Sequence, residues 1–549
     1  MTASAAAEDT PLMKQWRDAK SRHRDALVFF RVGDFYELFN QDAEEGARLL
    51  GLTLTSRNNG AAARVPLAGI PVKALDEYLA RLVRLGKRVA ICEQVEDPAE
   101  AKGIVRREVV ETVTPGTVLH DALLRDRRNN FLAAVVKGAA PEADGPGAGA
   151  GARAVGSTAP WALASLDLST GEFTVQPVAP GTLADEVGRV EPAELLIPRS
   201  LQDDPALAAL PAPSAGGPAR TYRDDWVFDV ELGREELQRR YGVRSLEGFG
   251  FQPAGAAGAG GGAGDRELIR AAGALVTYVQ EIRPGGVEHL QPPRIHRPGS
   301  AMVLDEMTRR NLELVEPLRA GGSGGDGTLL SVLDEAVTAM GGRLLRRWIL
   351  TPLVEAEAIW ARQEAVEELV EGQGLRRRLR DALSRVADLE RLAGKMGTGR
   401  AAPRDLRALG RSLEQLPEVK DACGAMASPL LRALTGELDL LPEVLDLLTR
   451  AVAEDPPATL SEGGVIREGF DPELDELRAL RDGAVDFIAS LQSRERERTG
   501  IGSLKVGFNK VFGYYLEVTK ANLDRVPDDY VRKQTLANGE RYFTPELKE

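Results

Sequence analysis

A chain of 549 residues, 43% hydrophobic and 28% charged, is too long for one core and predicts about three to five soluble domains rather than a disordered polymer. The start, MTASAAAEDTPLMKQW, lacks the charged and apolar regions of a leader, and no later run has the roughly 18 apolar residues of a membrane span. Two cysteines, Cys92 and Cys423, cannot build a disulfide framework, so the expectation is a cytoplasmic protein with no membrane partner. Net charge is −13, but the acidity lies in the middle of the chain. Residues 1–118 and 500–549 are each close to neutral, which permits phosphate contact at both ends.

In chain order, residues 11–25 are predicted helical, Leu27 to Val32 an apolar strand, Gln41 to Leu50 a helix and LTLT (52–55) a short strand. KALDEYLARLVRLG follows as an amphipathic helix with Leu75, Leu79, Leu82, Val83 and Leu85 as its apolar positions, and RVAICEQV as a buried strand. Residues 1–118 thus read as a small α/β domain. After Thr114-Pro115-Gly116, WALASLDLSTGEFTVQPV predicts a hairpin turning at Ser169-Thr170-Gly171, and LADEVGRVEPAELLIP a helix and then a strand. Gly/Ala-rich tracts near 140–160 and 254–264 read as surface insertions.

From about residue 300 the pattern is helical, with Leu, Ala and Val recurring at spacings of three and four. DPELDELRALRDGAVDFIASLQSRERERTG then sets Leu474, Leu477, Leu480, Ala484, Phe487 and Leu491 along one stripe of a long helix. LKVGFNKVFGYYLEVT alternates like a strand pair, a small β-unit at the helix tip.

Within FFRVGDFYELF (29–39), Phe35 and Glu37 stand two apart where the first strand ends. Extended residues i and i+2 share a face, so these two point one way and Tyr36 and Leu38 the other. An aromatic beside an apolar strand is ordinarily core, and the glutamate after it ordinarily solvated. The alternative is a wedge with a hydrogen-bond acceptor beside it, suited to prying open a base step that is already weak.

Chemistry is sparse elsewhere. Gly86-Lys87 and Gly394-Lys395 are followed by Arg88 and Met396 instead of Ser or Thr, so no nucleotide phosphate loop is expected. The chain is not expected to be an enzyme: there is no G-x-S-x-G elbow and no Cys/His constellation. His23, His120, His289 and His296 lack metal-ligand spacing and are expected at surface or packing positions. Asp167, with Glu172 across its turn, could serve a magnesium-dependent nuclease, although a solvated turn residue is the simpler explanation.

FFRVGDFYELFNQDAEEGARLLGLTLTSRN, PLAGIPVKALDEYL, VAICEQVEDP and VVETVTPGT resemble the mismatch-binding domain of the bacterial MutS family of DNA mismatch-recognition proteins. LDLSTGEF, TRRNLELVEPL, AMGGRLLRRWILTPL, DLERLAGKM, ERERTGIGSLKVGFNKVFGYYLEVTKAN and QTLANGERYFTPELKE continue the resemblance over nearly the whole chain. It implies a multidomain fold. Residues 1–118 would be an α/β mismatch-binding domain, 119–285 an RNase H-like α/β connector, 286–460 an α-helical core with lever helices, 461–530 a small β-rich clamp, and 531–549 the start of a returning lever helix. It also implies that Phe35 stacks on a mispaired base and Glu37 hydrogen-bonds to it. Lys505, Asn509 and Lys510 would grip the DNA backbone. Arg31, Arg57 and Arg64, near the wedge, are read here as further phosphate contacts, although lone arginines are more often solvated or ion-paired. The partners implied are mismatched double-stranded DNA, a second copy of the chain and the repair protein MutL. No cofactor is expected in this chain, since ATP and magnesium belong to a C-terminal ATPase domain of the family whose motifs do not occur here. The competing expectations are the Asp167-centred nuclease and a helical scaffold that binds protein through the acidic middle region.

Overall fold

The computed structural model describes residues 10–59, 62–96, 103–138, 159–252, 264–283, 288–297, 301–318, 327–509, 513–544 and 547. The Gly/Ala-rich tracts near 140–160 and 254–264 lie almost wholly outside these, as does Lys510. The chain divides into two compact units, Met1–Leu445 and Asp446–Glu549.

The first unit opens with α1 (Pro11–Arg22), β1 (Ala26–Val32), β2 (Phe35–Phe39), α2 (Asn40–Leu50), β3 (Thr55–Asn59), β4 (Ala62–Pro71), α3 (Leu75–Arg84), β5 (Arg88–Gln94) and β6 (Arg107–Val113). The strands form one sheet in the order β3-β4-β2-β1-β5-β6, with β1 and β5 parallel. Alternation decides which face each residue serves. Leu27, Phe29, Tyr36 and Leu38 pack with Leu79 and Leu82 of α3 and Ala43 and Leu50 of α2. Val28, Phe30 and Phe39 pack with Met13 and Trp16 of α1 on the other face. The predicted strand at 52–55 starts only at Thr55. Gly51, at φ +72, caps α2, and the Gly51 and Leu52 amides both donate to the Ala47 carbonyl, so pairing begins where β4 supplies Leu67 opposite Thr55.

A second sheet is built from β7 (Phe131–Lys137), β8 (Trp161–Asp167), β9 (Glu172–Val178), β10 (Glu194–Pro198), β11 (Ala219–Arg223) and β12 (Arg294–Ile295), ordered β11-β10-β7-β8-β9-β12. The hairpin at 168–171 is where the sequence places it, with Gly171 at φ +76. Between the strands lie α4 (Leu183–Val190), the one-turn α5 (Pro205–Ala208), α6 (Val230–Tyr241) and α7 (Gly264–Ile282). One face of the sheet buries α7 through Leu268, Leu275, Tyr278 and Val279. The other buries Leu183 and Val187 of α4.

Helices follow: α8 (Glu306–Asn311), α9 (Leu329–Leu333), α10 (Ala339–Leu350), α11 (Ala356–Glu371), α12 (Gln373–Leu383), α13 (Leu389–Gly397), α14 (Pro403–Leu413), α15 (Leu416–Gly424), α16 (Pro429–Glu437) and α17 (Pro442–Ala451). Ion pairs join them to one another and to the first sheet. The buried Arg343 guanidinium grips Asp388 through both nitrogens, at 2.7 and 2.8 Å, and reaches Glu390 at 2.6 Å. Glu111 on β6 accepts from Arg400 after α13 and from Arg283 beyond α7.

The second unit contains α18 (Pro472–Thr499) and an antiparallel sheet of β13 (Lys505–Asn509), β14 (Gly513–Thr519), β15 (Val531–Thr535) and β16 (Gly539–Phe543) in the order β13-β14-β16-β15. Ile501, Leu504, Leu516, Val518, Tyr530 and Tyr542 form its core. Residues 531–543 are therefore strands and do not begin a returning helix; Tyr542 faces Leu516 across the ladder and is buried there. The stripe along α18 is buried at Leu491, whereas Leu477 and Leu480 are 57% and 64% exposed.

Candidate nucleic-acid interface

The hairpin joining β1 to β2 turns at Gly33-Asp34, with Gly33 at φ +58 and Val32 paired to Phe35. A left-handed position at the turn suits glycine. Phe35 thus begins a strand at the edge of the first core, 49% exposed, whereas its neighbours Tyr36 and Leu38 are buried. Glu37 is on the same face as Phe35, half-buried, as the two-residue spacing predicts. Gly69 on β4 lies opposite Glu37. A methyl group there would touch both the Phe35 ring and the Glu37 side chain at 3.9 Å, so the two side chains flank one small gap in the sheet surface.

Glu37 Oε2 is 2.5 Å from an Arg57 nitrogen. Burial pushes the Glu37 carboxyl above its ordinary range, and the charges of Arg57 and Arg107 oppose that only in part. Arg107 is anchored by the Arg31 and Val105 carbonyls at 2.6 and 2.7 Å. Of the arginines the sequence offers as phosphate contacts, Arg31 donates to the Gly33 carbonyl, faces Glu93 at 3.6 Å and lies over the Tyr36 ring. Arg57 is held by Glu37, and Arg64 is exposed, with no ion pair among the described residues. Arg107 is a neighbour of Glu37 that the sequence reading missed, because it lies on the far edge strand of the sheet.

In the second unit the proposed grip residues separate. Lys505 is exposed at the start of β13 and Asn509 ends it, about 13 Å apart along an extended strand. The Asn509 side chain and all of Lys510 lie outside the described residues. Arg496 donates to the Leu504 carbonyl and Gln492 accepts from the Val506 amide, so β13 runs antiparallel to α18 and its far end lies back along the helix. The helix-tip end of the sheet instead gathers Lys505, the exposed Lys520, and Asn522, which donates to Ser503 and Thr519. The Lys520 amide also ties this end to the 536–538 turn through the Asn538 carbonyl.

The nuclease expectation meets a saturated carboxylate. Asp167 is fully buried, contrary to a solvated turn residue. It accepts from the Ser169 amide and hydroxyl at 2.8 and 2.7 Å, and from Asn129 and the Asn130 amide at 2.8 and 3.2 Å. Four donors fill the lone pairs a metal would use. Glu172 pairs with Arg347 at 2.6 Å, and no carboxylate, histidine or cysteine group suited to a metal occurs among the described residues. Both Gly-Lys pairs are also committed: Lys87 to Glu45 at 2.6 Å, and Lys395 to Asp121 and Asp405 at 2.6 and 2.8 Å. No helix among the described residues is long and apolar enough to cross a membrane.

Family comparisons agree along the chain. MutS domain I matches residues 10–122, MutS domain II residues 130–291 and MutS domain III residues 307–535. The DNA mismatch repair protein MutS of Myxococcus xanthus is 45% identical over 545 residues, 98% of this chain and 57% of that protein. That of Symbiobacterium thermophilum is 44% identical over 554 residues, covering 99% of this chain and 59% of its own length. The chain thus spans about three fifths of the curated relatives it matches. Three domain matches in order, with the Phe35–Glu37 edge inside the first, mean that this chain belongs to the MutS family.

Proposed function

We propose that this chain recognises mispaired or looped double-stranded DNA in mismatch repair, entering the minor groove with Phe35 and offering Glu37 to the displaced base. One observation carries the reading: an exposed aromatic and a partly desolvated carboxylate share one sheet face beside a hairpin turn. Inserting a ring at a base step unstacks and kinks the duplex at a cost of a few kcal/mol, smallest where pairing is already defective. A raised carboxyl pKa suits a group that must accept a bond from a base or share a proton with a base nitrogen.

On this reading the first sheet is the mismatch-binding domain, the second an RNase H-like connector without nuclease activity, and α8 to α17 a core. The α18 helix is then a lever that carries the clamp. The clamp's contact surface is its helix-tip end with Lys505 and Lys520, a sequence-independent phosphate grip. On this reading the partners are a second copy of the chain and the repair protein MutL, in a cytoplasmic setting, by analogy with the family. Among the described residues both Gly-Lys pairs are engaged in ion pairs, so no step is assigned to nucleotide.

The test is the equilibrium affinity of the full chain for a G·T duplex against its matched counterpart at two salt concentrations, repeated with Phe35→Ala. Wild type should prefer the mispair by about tenfold or more, near 1.4 kcal/mol. The variant should bind both duplexes alike with its salt dependence retained. A mispair preference in the variant as large as that of wild type overturns the wedge assignment.

A further inference from the structure

The geometry points to Arg57 as a positioning residue for Glu37, pairing with its carboxylate in the free protein and passing to a DNA phosphate when Glu37 engages a base. This inference rests on the proposed function. Glu37 Oε2, an oxygen a base donor would use, is already occupied at 2.5 Å, and the pair is partly shielded, with side-chain exposures of 17% for Glu37 and 38% for Arg57. Arg57 comes from β3, two strands away from β2 with β4 between them, so its long side chain reaches across the sheet face to arrive at Glu37.

Three features make the pair exchangeable and not merely structural. Arg57 makes its one ion pair among the described residues with Glu37, while its neighbour Arg107 is fixed by two backbone carbonyls and cannot follow a phosphate. The Arg57 side chain is exposed enough to swing on its flexible stem. Glu37 without a counter-charge would repel every phosphate drawn past Phe35, because the potential of an unpaired carboxylate acts on matched and mispaired DNA alike. With Arg57 in place, Glu37 is masked until a base edge offers a better bond. The guanidinium released at that moment stands beside the groove walls, where phosphates can take it up. One arginine then serves both states, and Glu37 is engaged only where a base can compensate for breaking the pair.

The experiment is a double-mutant cycle with the full chain on a G·T duplex, measuring Kd at two salt concentrations for wild type, Arg57→Gln, Glu37→Gln and the double variant, with Arg57→Lys and thermal melts alongside. Arg57→Gln should weaken binding about tenfold when Glu37 is present and less than about threefold in the Glu37→Gln background, since an amide needs no mask. The slope of log affinity against log salt should fall by about 0.9 on losing one phosphate contact. Arg57→Lys should recover most of the affinity, because a point charge can meet one carboxylate oxygen.

Equal losses in both backgrounds would show a plain phosphate contact and overturn the coupling. An unchanged salt slope would show that the guanidinium stays on Glu37 in the complex and overturn the transfer. A lowered melting temperature with no rescue by lysine would make the pair structural and overturn both. Failure of the proposed function reads out separately, as a mispair preference that survives Phe35→Ala.

Discussion

Glu37 and Asp167 are both carboxylates on strands, and their surroundings assign them opposite duties. Asp167 is fully buried and accepts four hydrogen bonds, which leaves it nothing to offer a ligand. Among the described residues Glu37 has one ion pair, and its side chain is partly open. Asp167→Asn should therefore act on stability: an amide nitrogen would face one of the donors, costing on the order of 1–3 kcal/mol in chemical denaturation. Its DNA affinity should be unchanged, and a wild-type level of stability would count against the saturated-acceptor account. Gly507 makes a second residue-scale case. A Cβ there would lie 2.7 Å from the Tyr515 ring, itself capped by Arg541 at 4.2 Å, so Gly507→Ala should destabilise the second unit by about 1–3 kcal/mol. Near-wild-type denaturation would mean the ring moves freely.

Among the elements, α6 and α7 show what glycine does between helices. A Cβ on Gly273 would come within 2.2 Å of the Gly233 Cα, so the two backbones meet with no side chain between them. Gly273→Ala has to part the helices, and α7 is the helix that buries one face of the second sheet. The loss should be about 2 kcal/mol or more by thermal or denaturant unfolding. An unperturbed midpoint would place the close approach elsewhere. At the tip of α18, the Tyr530 hydroxyl donates to buried Glu495 at 2.7 Å. Tyr530→Phe leaves that carboxylate with Arg498 and should cost about 1–2 kcal/mol, read as earlier unfolding of the second unit.

For the molecule as a whole, the Glu111 junction is a pH-sensitive joint of the first unit. Burial alone would raise its carboxyl, but His120, 3.9 Å away, and the charges of Arg283 and Arg400 outweigh it and bring the pKa from 4.5 to about 2. A depressed folded-state value stabilises above the ordinary carboxylate range and loses that contribution as pH falls from about 4.5 toward 2. The amount is on the order of 3 kcal/mol. Denaturation curves between pH 5 and 2.5 should therefore lose stability in wild type and change less in Glu111→Gln, which starts less stable at pH 7. Parallel curves for the two proteins would remove Glu111 as the source.

Much of this was legible in the residues because it is local. Alternation put Phe35 and Glu37 on one face, Gly51 ended α2, the turn at 168–171 closed the β8–β9 hairpin, and the three-and-four spacing marked the helices. What the residues could not reveal depends on partners distant in sequence. Pro66, Gly69 and Pro71 disguise β4 as a loop, yet it forms a strand because β2 and β3 pair along both its edges. Residues 531–543 became strands because β14 offered an edge beside a core that needed Tyr542. Asp167 looked solvated until Asn129 and Asn130 closed over it. Glu37 looked free until Arg57 arrived from two strands away. Period and turn chemistry act between neighbours and can be read along the chain, whereas burial and charge pairing are properties of what the fold brings together.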